Sequence, residues 1–426
     1  MRPLSTASSF LGVLYFASLA SRVGGQSFNL VQESSGSTFF DKWDFAPNDF
    51  TFDQENNGDV FFNTIDQVNS AANGQKLAFI NSNGNAVLRV DNFTSIVPEN
   101  KRNSTRITSQ SQFGVGSLII TDMLHIPFGC AVWPSFWTKG PNWPQDGEID
   151  IIEGVNKNPQ NQMALHATAG CMHSHITDPT LQSGIAGELN CNATGNVGCT
   201  VLETKPGSFG QSFAQNGGGV FATQFDISGI YIWFWPRANI PASIKGSDSK
   251  SPITISDFGP PSASYPNTAD GCDIPKFFDA QTLVIETTLC GNWAGAVYLD
   301  NGSGCPAGPT PTSTAPGTNP TDVSKQACYM QQVVGPGSNF NDAYFEIQWL
   351  RVYSVSNTPA VTSAVSQTSV SSSIGTQASP STSTGSQTVG NSQTAGKSPS
   401  SATQVGTPFR LVITFATLLL GVIGAN

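Results

Sequence analysis

The sequence predicts an all-β protein, a β-sandwich or jelly roll, on three observations. Glycine (42) and proline (27) punctuate the 426 residues too often for long helices. Between them recur short runs that are apolar, or that alternate apolar with polar. No repeat period and no long amphipathic helical pattern interrupts this texture.

Five runs define the clearest strands, in chain order. They are Lys76-Leu77-Ala78-Phe79-Ile80, Gly116-Ser117-Leu118-Ile119-Ile120, Ile230-Tyr231-Ile232-Trp233-Phe234-Trp235, Leu283-Val284-Ile285-Glu286, and Tyr344-Phe345-Glu346-Ile347-Gln348-Trp349-Leu350-Arg351-Val352-Tyr353. Many short strands joined by Gly/Pro turns pack as two layers. The folded domain is expected over residues 26–356, with the low-complexity patch 306–320 as a long surface loop. Residues 357–403 narrow mostly to Ser, Thr, Gly, Gln, Ala and Val, with Lys397 the one charge. Such a stretch cannot bury enough surface to offset chain entropy, so it reads as an extended, O-glycosylated stalk.

The two ends indicate a compartment. Arg2, an apolar run over residues 10–17 and the small-x-small site Ser18-Leu19-Ala20 predict a signal peptide over residues 1–20. Residues 404–426 carry an apolar tail behind a polar spacer and the small residues Ser400-Ser401-Ala402, the pattern of a GPI-attachment signal. The protein is therefore expected outside the cell, on the membrane surface by a lipid anchor or in the wall. Eight cysteines suit disulfides there, and proximity along the chain pairs Cys305 with Cys328 and Cys191 with Cys199. Sequons at Asn92, Asn103, Asn192 and Asn301 fit the same address. A net charge of -10 with no basic run excludes nucleic acid as a partner.

The chemistry concentrates in Gly147-Glu148-Ile149-Asp150-Ile151-Ile152-Glu153-Gly154. On a strand, alternation puts Glu148 and Asp150 on one face and Ile149 and Ile151 on the core face. It would also send Glu153 into the core, where an unpaired carboxylate is costly. A β-bulge at Ile151-Ile152 is therefore expected, returning Glu153 to the face of Glu148. Two carboxylates on one face suit glycoside hydrolysis by double displacement, with mutual repulsion keeping the acid protonated. A calcium site and a merely solvated acidic face are the rival readings.

Aromatic residues flank this cluster. Trp133, Trp137 and Trp143 lie just upstream, and indole rings stack on sugar faces while their N–H groups reach hydroxyls. One or two of the three are expected to face ligand, Trp143 among them, with Asn142 beside it. Trp293 sits in the loop Gly291-Asn292-Trp293-Ala294-Gly295 and is a further cleft candidate, whereas Trp233, Trp235 and Trp349 read as core.

The run Trp133-Pro134-Ser135-Phe136-Trp137, then Gly140-Pro141-Asn142-Trp143-Pro144, then residues 147–156, resembles the fungal endo-1,3(4)-β-glucanases of glycoside hydrolase family sixteen. Thr105-Arg106-Ile107-Thr108-Ser109, Leu165-His166-Ala167, residues 291–295 and Ala343-Tyr344-Phe345-Glu346-Ile347 extend the similarity over nearly all of residues 30–355. The resemblance implies a concanavalin-like β-jelly roll with an open cleft and β-glucan as substrate. It implies Glu148 as nucleophile, Glu153 as acid/base, Asp150 as assisting carboxylate, and His166 lining the cleft near the acid/base. No cofactor is implied beyond the open question of a structural calcium, and a monomer is expected. The bulged spacing resembles laminarinase-like members, whereas bacterial lichenases and wall transglycosylases have the shorter form. Gly291-Asn292-Trp293 departs from the family, where an acidic residue often precedes the tryptophan. Transglycosylation and non-catalytic glucan binding are the competing functions.

Overall fold

The computed structural model describes residues 26–47, 51–70, 74–194, 197–248, 251–305 and 321–355, together with the backbone of residues 361–362. The strands, in chain order, begin with β1 (Ser27–Ser35), β2 (Trp43–Phe45), β3 (Thr51–Phe52), β4 (Val60–Phe62), β5 (Ala78–Ile80), β6 (Ala86–Arg89) and β7 (Arg102–Ser104). Next come β8 (Arg106–Phe113), β9 (Ser117–His125), β10 (Val132–Lys139), β11 (Glu148–Glu153), β12 (Gln162–His166), β13 (Ile185–Ala186) and β14 (Cys199–Leu202). The series ends with β15 (Gly219–Asp226), β16 (Gly229–Pro236), β17 (Ile253–Thr254), β18 (Ala263–Pro266), β19 (Gln281–Leu289), β20 (Tyr344–Ser354) and β21 (Val361–Thr362). Each of the five expected runs contains a strand, though the first becomes strand only from Ala78. The longest α-helices among the described residues span six residues.

Two nine-stranded antiparallel sheets face each other. One runs β13-β14-β12-β11-β10-β19-β8-β2, with β21 on β8; the other runs β17-β1-β20-β9-β15-β16-β18, with β6 on β20 and β5 on β6. Between them lies the main core. Phe136, Ile149, Ile152, Leu165 and Ile285 from the first sheet meet Ile119, Met123, Phe221, Ile232 and Ile347 from the second. Strict alternation divides β9: Ile119 points into this core, while Leu118 and Ile120 join a second cluster with Trp233 and Trp235. Trp349 departs from expectation. It is only partly buried, on the rim of that second cluster, with the Arg351 guanidinium 4.4 Å above its ring.

Four disulfides close the fold, and they correct one expected pairing. Cys191 does bond Cys199, but Cys305 bonds Cys130 and Cys328 bonds Cys290, with Cys171–Cys272 the fourth. Proximity along the chain misleads because β10 and β19 are neighbours. That brings Cys130 and Cys290 side by side in a cluster with Cys328 and partly buried Cys305. No helix among the described residues is long and apolar enough to cross a membrane. The expected signal peptide, the loop 306–320, the tail 404–426 and all of the stalk except β21 lie outside the described residues.

Candidate active site

β11 is built as the acidic pattern requires. Gly147 enters it at φ 77°, and a side chain there would meet the Phe278 ring at 2.3 Å, so glycine alone fits. Glu148 pairs with His166, Asp150 with Ala164 and Glu153 with Gln162 on β12, so Ile151 and Ile152 together oppose one residue. This is the bulge expected at Ile151-Ile152, and both isoleucines are buried in the core. Asn161, itself fully buried, clamps it. Its amide donates to the Ile151 carbonyl at 2.9 Å and its oxygen accepts from the Glu153 N–H at 2.9 Å. A disrupted ladder leaves backbone groups orphaned, and Asn161 satisfies one of each kind.

Register then aligns side chains across the sheet. One row carries His166, Glu148, Lys139 and Thr282; the next carries Ala164, Asp150, Trp137 and Val284; a third carries Gln162, Glu153, Ser135, Glu286 and Arg106. The carboxylates occupy the middle of this face. Each outer one receives an indole N–H: Trp133 Nε1 donates to Glu153 Oε1 at 2.8 Å, and Trp143 Nε1 donates to Glu148 Oε2. Trp293 stands edge-on to Trp133 with ring centroids 5.6 Å apart. Trp137, buried, faces Asp150 with its own Nε1 unpartnered by protein. All three upstream tryptophans therefore neighbour the carboxylates on one face of the sheet, and Trp293 packs against Trp133. Trp143 is the open one, at 45% exposure. Asn142 is not brought to the carboxylates: its backbone and side-chain nitrogens both bind Asp146 at 2.9 Å and close the turn ahead of β11.

His166 sits with Asp150, Nε2 to Oδ2 3.2 Å, opposite Glu148 in register. Burial alone would hold its imidazole neutral, but the hydrogen bond and charge of Asp150 prevail and push it up to about 9. Glu153 is pushed up to about 8 by burial and then by Asp150, with the Trp133 N–H pulling the other way. Burial and Asp150 likewise raise Glu148 well above the ordinary carboxylate range, opposed by His166 and the Trp143 N–H. The two glutamates also feel each other's charge, so the cluster keeps a proton at neutral pH. Both glutamates are partly open to solvent and each holds an indole N–H, so the two share these stabilising features of the ionised form.

Glu148, Asp150 and His166 each offer an atom within 4.8 Å of the others, the one such grouping among the described residues. An imidazole with two carboxylates does not suit calcium, which takes six to eight oxygens. The grouping is accounted for by the Asp150–His166 pair. Four site residues escaped the sequence: Asn161, Arg106, Glu286 and Glu55. Arg106 and Glu286 form an ion pair at 3.0 Å, and their signal was available, since each is a lone charge in an otherwise uncharged strand run.

Comparison with known proteins bears on this geometry. The family model described as the XgeA-like catalytic GH16 domain matches residues 43–353. A probable endo-1,3(4)-β-glucanase of Aspergillus clavatus is 35% identical over 379 residues, covering 86% of this chain and 53% of that protein. A probable glycosidase of Schizosaccharomyces pombe is 36% identical over 336 residues, covering 77% of this chain and 70% of its own. The chain spans about half the length of the Aspergillus relatives it matches. Among solved structures, an elongating GH family 16 β-1,3-glucosyltransferase superposes with TM-score 0.65 at 35% identity, covering 77% of this chain and 100% of that one. Laminarinase 16A from Phanerochaete chrysosporium, solved with 6-O-glucosyl-laminaritriose in donor and acceptor sites, gives TM-score 0.65 at 32% identity, covering 77% and 99%. The two facing sheets are thus the GH16 jelly roll, and the chain belongs to glycoside hydrolase family sixteen through an XgeA-like catalytic domain.

Proposed function

We propose that this chain is a retaining endo-β-glucanase acting on 1,3- or mixed 1,3/1,4-β-glucan outside the cell. The observation that carries it is the bulged β11, which turns Glu148 and Glu153 to one cleft face, each holding a tryptophan N–H. Glu148 attacks the anomeric carbon while Glu153 gives its proton to the departing glycosidic oxygen, leaving a glycosyl ester on Glu148. Glu153, now ionised, takes a proton from water, whose oxygen displaces the ester and frees Glu148. Asp150, charge-paired with His166, supports proton sharing between them. Relatives named as endo-1,3(4)-β-glucanases support the substrate class. Four disulfides, with no free cysteine among the described residues, support an oxidising compartment. The lipid tether and the monomeric state belong to the same proposal, the tether resting on sequence pattern alone.

One observation favours a second reading. The elongating β-1,3-glucosyltransferase matches as well as the laminarinase, and on this second reading the glycosyl ester on Glu148 passes to a sugar instead of water. The test incubates purified wild type and Glu148→Gln with laminarin, barley mixed-linkage glucan and labelled laminari-oligosaccharides, and sizes the products. Shorter sugars from wild type alone support the hydrolase. Products longer than the input move the assignment to transfer, and intact substrate retained on folded protein leaves a glucan-binding protein.

A further inference from the structure

The loop after β3 carries Glu55 to the rim of the cleft, where its carboxylate makes two ion pairs at once. One oxygen lies 2.5 Å from the Arg106 guanidinium and the other 2.5 Å from the Lys139 ammonium. Those cations come from β8 and β10, strands separated by β19. Both lie over the same indole, Trp137, at 5.6 and 5.4 Å from its ring. Arg106 has a second anchor in Glu286, at 3.0 Å. For Lys139, Glu55 is the only acidic partner within ion-pair distance among the described residues. Two like charges on long side chains repel and explore many rotamers unless something ties them.

The loop is stiff enough to tie them. Two residues before Glu55, Asp53 accepts from Thr288 Oγ1 at 2.6 Å and from the Asn56 N–H at 3.0 Å. One residue after it, the Asn56 carbonyl accepts from the Asn292 N–H at 2.8 Å. Gly58 makes the fit possible, since a side chain there would overlap Thr288 Oγ1 at 1.8 Å. Beyond the Glu55 bridge opens a depression of 590 Å³ lined by Phe45, Phe52, Phe62, Gln54 and Thr108 among others.

We propose that Glu55 is a positioning residue: by clamping Arg106 and Lys139 together over Trp137, it fixes a wall of hydrogen-bond donors for a glucosyl unit on the β8 side of the catalytic carboxylates. Fixed donors avoid the ordering cost that mobile side chains incur on binding. This rests on the glucanase reading, and it names a unit of the chain away from the cleavage point. Glu55 is 45% exposed while Arg106 and Lys139 are mostly covered, so solvent screens the pairs and their effect is modest and falls on binding.

The test uses the full chain with Glu55→Gln, which keeps size and removes charge, and has two arms. In a crystal structure of the variant without ligand, Lys139 is expected to leave the Trp137 face; both cations staying in place would overturn the clamp. In kinetics on reduced laminari-oligosaccharides of increasing length, the gain in kcat/KM with length is expected to shrink about two- to fivefold, mainly through KM. An undiminished gain, or a loss equal at every length, would overturn the role in binding. Wild type that cleaves none of these sugars would sink the glucanase reading and the sugar role together, while the crystal arm would still decide the clamp.

Discussion

Glu153 carries the clearest consequences at the scale of single residues. Glu153→Gln should lower turnover of laminari-oligosaccharides by about a hundredfold to ten-thousandfold, the span of a lost general acid. The same substitution should stabilise the fold, with a sign set by linkage. A carboxyl held at about 8 in the folded state binds its proton more tightly there than when unfolded. Its stabilising contribution is full below the unfolded value and is lost as pH rises through the folded one. The melting temperature of Glu153→Gln should therefore pull ahead of wild type as pH climbs from about 5 to 8, where wild type takes on a buried charge. A constant difference would contradict the raised value. His166 should also set the pH profile. Its positive charge lowers both glutamates, so His166→Gln should move the acidic limb of kcat/KM to higher pH, as nucleophile ionisation becomes harder. A limb that stays in place would remove His166 from the electrostatics. The acidic trio was legible in sequence because Glu148, Asp150 and Glu153 crowd a chain that is only 11% charged. Glu55 was not, because only folding brings its loop onto Arg106 and Lys139, whereas Arg106 and Glu286 stood out as lone strand charges whose pairing waited on register.

At the scale of the element, the bulge decides which way Glu153 points, and Asn161 holds the bulge. Asn161→Ala leaves the Ile151 carbonyl and the Glu153 N–H buried without partners. Each orphaned group costs about 1–3 kcal/mol, so chemical denaturation should register a loss of about 2–6 kcal/mol. Residual activity should fall further than stability explains when assayed well below the midpoint, because the acid loses its backbone anchor. Unchanged activity in the folded variant would separate the clamp from catalysis. The bulge itself was legible, since alternation alone buries Glu153 and only an extra residue avoids that cost. Asn161 was invisible: its role depends on folding back from the start of β12 onto a strand eight residues upstream. Asn142 lies in the turn ahead of β11, where its own contacts are local. Its neighbour Trp143 reaches Glu148, while Asn142 donates to Asp146 across the turn.

At the scale of the whole molecule, the two-layer fold followed from short alternating runs, whereas covalent closure did not. The Cys290–Cys328 bond closes a span of 38 residues and Cys191–Cys199 one of 8. Loop entropy assigns them about 4 and about 2.5 kcal/mol respectively. Paired Cys→Ser variants should rank in that order in denaturant midpoint. The first should also disturb Trp293, whose loop begins at Gly291, beside Cys290; equal midpoints with unchanged tryptophan fluorescence would contradict this. Cys305 and Cys328 lie close in sequence, yet their partners are set by β10 and β19 running side by side. Sheet adjacency is a long-range property that periodicity does not encode.

The most direct test of double displacement from Glu148 and Glu153 is the anomeric configuration of the first product. Laminari-oligosaccharide cleavage by the purified chain would be followed by proton NMR from the earliest seconds, before mutarotation. Initial release of the β-anomer, which decays later to the equilibrium mixture, is the predicted result. Initial release of the α-anomer would mean a single displacement by water and would contradict the assignment of Glu148 as nucleophile.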